Sequence, residues 1–146
     1  MKSLLLALQF LTVIPVKIKQ VDEQKLAKSM VYFPLIGLLL GFALIGINNL
    51  LLYLSFPEFH INIILVVSLI VLTGGIHMDG LADTADALLS RKNREEMLAI
   101  MRDSHIGVMG VLSLISAILL KIALLYSLGA ASKAAALILM CVLSRW

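Results

Sequence analysis

Apolar and polar positions in this chain come in long blocks rather than alternating residue by residue. Residues 3–14 form an apolar run closed by Pro15, and residues 16–30 are polar and rich in lysine. Apolar runs then occupy 35–56, 61–76 and 106–128, separated by the turn Pro57-Glu58-Phe59-His60 and by the polar stretch 77–105. A fourth run begins at Ala134, after the turn at 129–133, and is short of spanning length at Trp146. A helix needs roughly 20 apolar residues to cross a hydrocarbon core about 30 Å thick. The pattern therefore predicts three full spans and part of a fourth. The first run is too short to cross, and with Gln9 and Thr12 as its polar residues it is expected to lie at the interface or re-enter the membrane. Asp22 is the expected N-cap of a short amphipathic helix running to about Met30. In the first span, Gly37-x-x-x-Gly41 is a surface that another helix can approach closely. Asn48 and Asn49 in the same span are expected to face protein rather than lipid.

Composition supports this reading. Hydrophobic residues make up 61% of the 146 and charged residues 14%, with a mean hydropathy of +1.04. Soluble domains average about 45–50% apolar and about 25% charged. The predicted fold is all-α, a polytopic helical bundle forming one membrane domain over 1–146. It has an interfacial N-terminal helix and an acidic motif between spans two and three. The net charge is +3, but the basic residues are spread thinly between apolar runs. They suit orientation in a bilayer, and no nucleic-acid partner is expected. Four lysines lie in 16–30, four basic residues (Arg91, Lys92, Arg94, Arg102) lie in 77–105, and none lies in 57–60. Basic loops stay inside, which puts both basic segments in the cytoplasm. Cys141 is the only cysteine and reads as a small buried hydrophobe.

The candidate chemistry lies in the second basic segment. Gly74 to Asp86 carries three of the nine carboxylates. On a helix, Asp79, Asp83 and Asp86 fall within roughly 60° of one another. Like charges on one face repel, and a divalent cation would relieve that repulsion; hard Mg²⁺ prefers carboxylate oxygens and recruits substrate phosphates as further ligands. The plainer alternative is that Asp79 caps a helix and the others are solvated acids. Asp103, before the third span, is either a fourth metal ligand or that span's N-cap. His77 is either a general base or a polar anchor at a helix end. Asn93-Arg94-Glu95-Glu96 resembles a capped helix start that would fold the two acidic ends together. Arg91, Arg94 and Arg102 are placed to hold phosphate oxygens beside a metal. These residues suggest a membrane-embedded, Mg²⁺-dependent phosphotransferase working at the cytoplasmic face. A cation transporter or channel would be expected to carry carboxylates inside its spans, and these spans have none. A scaffold subunit leaves the three aspartates unexplained.

The stretch Gly74-Gly-Ile-His-Met-Asp-Gly-Leu-Ala-Asp-Thr-Ala-Asp86 resembles the signature of the cobalamin synthase family, the adenosylcobinamide-GDP ribazoletransferases. Ala7-Leu-Gln-Phe-Leu-Thr12 with Pro15, Tyr32-Phe-Pro-Leu-Ile-Gly37, Met101-Arg-Asp-Ser-His-Ile-Gly107 and Ser144-Arg-Trp146 are similar to it in the same order. The resemblance implies the last assembly step of cobamide biosynthesis. Adenosylcobinamide-GDP is joined to α-ribazole or its 5′-phosphate, GMP is released, and adenosylcobalamin or its phosphate forms. It also implies Mg²⁺ as cofactor and a multi-pass protein of the bacterial inner membrane, its active site facing the cytoplasm; a homo-oligomer is compatible with this. In that reaction Asp79, Asp83 and Asp86, with Asp103, would hold the metal on the pyrophosphate. The ribazole 5′-hydroxyl would attack the cobinamide-side phosphorus, with His77 or an aspartate such as Asp83 taking its proton. Arg91, Arg94 and Arg102 would steady the phosphates. Asp79-Gly80-Leu81-Ala82 also invites comparison with the CDP-alcohol phosphotransferases, the runner-up family. Cobalamin synthases continue with further apolar segments after the Arg-Trp position, so this chain is expected to be an N-terminal portion of the usual enzyme.

Overall fold

The computed structural model describes residues 2–16 and 23–146, and all the described elements are helical. The cap expected at Asp22 lies outside the described residues. Helix α1 spans Lys2–Leu11, and α2 (Glu23–Ser29) passes through a single 3-10 turn at Met30–Tyr32 into α3 (Phe33–Tyr53). The short helix expected to end near Met30 and the span expected from residue 35 are instead continuous. Pro34 occupies the first turn of α3, where its missing N–H has no helical partner to lose. Gln24–Tyr53 is thus a 30-residue helical stretch. After Pro57 comes α4 (Glu58–Leu72), with Glu58 in its first turn, where a carboxylate suits the helix dipole.

The second span was expected to reach Ile76, but the helix stops at Leu72. Gly74 and Gly75 take φ values of 61° and 73°, left-handed conformations that favour glycine. Thr73 Oγ1 donates back to the Leu69 carbonyl at 2.9 Å, satisfying one of the helix's last acceptors. Helix α5 (Ile76–Leu89) therefore leaves at 89° to α4. It is followed by α6 (Arg94–Ile100), α7 (Val108–Ser127) and α8 (Ala130–Leu143). Gln24–Tyr53 and Val108–Ser127 are each long and apolar enough to cross a membrane, and the bent α4–α5 pair adds a third if counted as one broken span. The outward faces stay apolar; Leu119 and Leu120 of α7 are both 61% exposed, as lipid contact requires. The length and composition of these helices are those of a membrane helical protein.

The core lies between α3, α4 and α8, where Leu40, Leu44, Ile61, Leu65, Leu137 and Cys141 are buried. Lipid tails are as apolar as leucine, so helices in a bilayer associate through close packing rather than hydrophobic expulsion. The Gly37–Gly41 surface does this against α8. A Cβ on Gly37 would lie 2.9 Å from Val142 Cα, and one on Gly41 2.9 Å from Ile138 Cα. Asn48 is half-buried as expected, whereas Asn49 is exposed. Helix α1 packs on the start of α3, and Val13 N–H donates to the Leu72 carbonyl at 2.9 Å, tying the end of α1 to the end of α4.

Helices α4, α5 and α7 form a triangle. With 15 and 14 residues, α4 and α5 are roughly 22 and 21 Å long, so a right-angled elbow leaves about 31 Å between their far ends. The 20 residues of α7 span about 30 Å and bridge that distance. One corner is closed by Phe59 of α4 against Tyr126 of α7, ring centroids 6.2 Å apart and edge to face. The other corner is closed by Asp86, described below.

The Gly37 contact predicts that Gly37→Ala destabilises the bundle by about 1–3 kcal/mol through overpacking. Gly46, with nothing within 4 Å of its Cβ position, should accept alanine with unchanged or higher stability. Thermal unfolding in detergent micelles would show the two variants moving apart; equal stability would remove the α3–α8 approach from the argument.

Candidate active site

Gly75 is the N-cap of α5, so Asp79 lies within the first turn and is not the cap. Its charge there is favourable to the helix dipole. Asp79 is exposed and Asp83, one turn on, is half-exposed. Among the described residues neither carboxylate has a hydrogen-bond or ion-pair partner. Two carboxylates a turn apart can supply two oxygens to Mg²⁺, which commonly keeps waters and substrate phosphates as its other ligands. Such a pair fits the ion. No group of three His, Cys, Asp or Glu side chains among the described residues is close enough to hold a metal by protein ligands alone.

Asp86 has a different setting. Its Oδ2 accepts the Gly107 N–H at 2.7 Å and its Oδ1 accepts the Gly110 N–H at 2.8 Å. Gly107 is the N-cap of α7, so both oxygens bond amides at the start of that helix, where backbone donors lack helical partners. The approach needs two glycines. A Cβ on Gly107 or Gly110 would collide with the carboxylate, and one on Gly110 would also sit 3.1 Å from the Ala82 carbonyl oxygen.

Asp103 does not cap α7. Its Oδ1 accepts the His105 backbone N–H at 3.1 Å and lies 2.6 Å from His105 Nδ1. The side-chain hydrogen bond from His105 is the main reason that the Asp103 carboxyl is held below its usual range, and it raises the His105 imidazole in turn. The helix start at Asn93 is as expected, with Asn93 Oδ1 accepting Glu96 N–H at 3.0 Å. Arg91, Arg94 and Arg102 are exposed around α6 and form no ion pair among the described residues. Arg91 takes a left-handed φ of 56° in the turn after α5.

His77 is roughly 160° around the helix from Asp79. It faces a cavity with Lys121 of α7 and Arg145 after α8. Partial desolvation, then the charges of Arg145 and Lys121, hold its imidazole below the ordinary histidine value. Neither Lys121 nor Arg145 is among the site residues expected from sequence, although Arg145 lies in the Ser144-Arg-Trp146 stretch that carries the resemblance. A signal was present: a lysine alone among apolar residues in a spanning helix seldom lacks a purpose.

Asp86→Ala should leave the Gly107 and Gly110 amides unpaired, at about 1–3 kcal/mol for each buried group. Backbone hydrogen exchange should then accelerate at Gly107–Val111 and stay unchanged across α3 and α8. Asp79→Ala should do neither, and equal effects from the two would refute the anchoring role.

Residues 3–146 match the sequence model of the cobalamin-5-phosphate synthase family. A Desulforamulus reducens protein named adenosylcobinamide-GDP ribazoletransferase is 41% identical over 144 residues, covering 99% of this chain and 57% of that protein. A Fusobacterium nucleatum protein of the same name is 44% identical over 142 residues, covering 93% of this chain and 51% of its own length. An Acetivibrio thermocellus protein, again of that name, is 43% identical over 150 residues, covering 99% and 58%. The chain spans about half the length of the curated relatives it matches. No solved structure matches. With identity above 40% to these relatives and a family match from residue 3 to residue 146, the chain belongs to the cobalamin-5-phosphate synthase family.

Proposed function

We propose that this chain takes part in joining adenosylcobinamide-GDP to α-ribazole or its 5′-phosphate, releasing GMP and forming adenosylcobalamin or its phosphate. The names of its relatives support this reading. The single structural observation that carries it is the unengaged Asp79–Asp83 pair on α5, beside a membrane bundle. In this reading the pair lies on the cytoplasmic side of a bacterial inner membrane, which the two basic segments support, and α1 lies at the interface.

Asp79 and Asp83 would hold Mg²⁺, which when bound supplies positive charge against the pyrophosphate and the departing GMP. Arg91, Arg94 and Arg102 steady phosphate oxygens as the P–O bond to GMP breaks. In this reading Asp83 also takes the proton of the attacking hydroxyl. The expected 5′-hydroxyl attack needs revision on chemical grounds. α-Ribazole 5′-phosphate has no free 5′-hydroxyl, so a nucleophile common to both substrates is a hydroxyl on the ribose ring. Its oxygen bonds to the cobinamide-side phosphorus, and GMP leaves with the electron pair. Asp86 holds α7 in place, and His77 faces away from the pair.

Membranes containing this chain should release GMP from adenosylcobinamide-GDP only when both α-ribazole and Mg²⁺ are present. Asp83→Asn should lower that release at least 100-fold, the usual scale for loss of an acid–base group, with membrane insertion unchanged. Wild-type rates in Asp83→Asn would overturn the assignment of that residue. No release here, while a longer relative is active in the same membranes, would overturn the claim that this chain carries the reaction.

A further inference from the structure

Two cavities meet at Arg145. One, of about 160 Å³, lies between α4, α5, α7 and the end of α8 and is bounded by Thr73, His77, Lys121, Met140 and Arg145. The other, of about 330 Å³, opens between α1, α3 and the end of α8, with Phe10, Phe33 and Trp146 among its walls. His77, Ser144 and Arg145 belong to both. Phe10 and Phe33 are stacked, centroids 5.7 Å apart and planes 11° from parallel, so a flat apolar surface adjoins the basic groups.

The charge in this region is one-sided. Arg145 is only 7% exposed. Its Nη1 donates to the Cys141 carbonyl and to Ser144 Oγ, each at 3.0 Å, and its Nε has no partner among the described residues. No carboxylate side chain lines either cavity, and none pairs with Arg145 or Lys121 among the described residues. A buried guanidinium without an anion is unfavourable, and its donor fork matches the oxygens of phosphate or carboxylate. A second fixed cation, Lys121, lining the smaller cavity with Arg145, favours the doubly charged phosphate over the singly charged carboxylate.

We infer that His77, Lys121 and Arg145 form a binding site for a phosphate ester with an apolar or aromatic body, on the side of α5 away from Asp79 and Asp83. Arg145 and Lys121 take the phosphate oxygens, and the apolar walls take the body. A membrane offers that chemistry in a lipid headgroup, and the cytoplasm offers it in a soluble aryl or nucleoside phosphate. The site does not depend on the proposed transfer reaction, and its test needs no turnover.

The test uses the chain in uncharged maltoside micelles, titrated with phenyl phosphate. Trp146 is the only tryptophan and lines the cavity, so its fluorescence should change saturably. Lys121→Met keeps the aliphatic stem and removes the charge; it should weaken binding at least tenfold. Lys92→Met, at an exposed position outside the cavities, should bind as wild type does. Arg145→Met should also lose binding, but its hydrogen bonds to the last turn of α8 make Lys121→Met the decisive variant. A parallel titration uses micelles doped with phosphatidic acid, whose headgroup is a phosphate monoester, against diacylglycerol. A Lys121-dependent response to the phospholipid alone would keep the site and identify its ligand as a lipid headgroup. A response unchanged in Lys121→Met, or no response to either phosphate, would overturn the proposal.

Discussion

The bond of the Asp86 carboxylate to the Gly107 and Gly110 amides is the constraint on which the α5–α7 half of this molecule depends. It joins residues more than twenty positions apart, and it converts an unsatisfied helix start into a fixed corner. A carboxylate that accepts two backbone N–H groups is bound more strongly than a neutral acceptor would be. The geometry is feasible only because neither position 107 nor position 110 has a side chain in the way. With that corner closed, α5 cannot swing away from α7, and the faces of α5 acquire separate surroundings. Among the described residues Asp79 and Asp83 stay unengaged, while His77 lines a cavity with Lys121 and Arg145.

The elbow at Gly74–Gly75 is the other half of that construction. Two successive left-handed residues redirect the chain by 89°, so the acidic motif does not continue along the axis of α4. The α3–α8 side of the fold obeys a different rule. There α3 and α8 approach through glycines until backbone meets backbone. One device exploits missing side chains to admit a carboxylate, and the other exploits them to admit a helix.

Much of the fold was legible from residue pattern. The all-helical class, the apolar runs, the Gly37–Gly41 contact and the Asn93 cap are consequences of local hydropathy and local hydrogen bonding. The misplaced boundaries have local causes too. Pro34 is compatible with a first helical turn, so it did not end the helix. Two adjacent glycines within an apolar run can be read as a continuing span or as a bend, and hydropathy does not distinguish these. The acidic motif was visible as a cluster on one helical face. What periodicity could not show is that one of its three aspartates has its oxygens bonded to another helix.

The sequence alone determined that these residues form apolar helices, that basic residues gather in two segments, and that the aspartates recur on one face. Each of these follows from neighbours within a turn or two, or from transfer of side chains out of water. Tertiary structure alone decided which aspartates remain unengaged, that α4 and α5 meet at a right angle, and that Lys121 and Arg145 line cavities with His77. The reason is that a carboxylate has several lone pairs and no intrinsic preference among cations, waters and amides. Its partner is set by which groups the packed helices bring within reach, and those groups are distant in sequence.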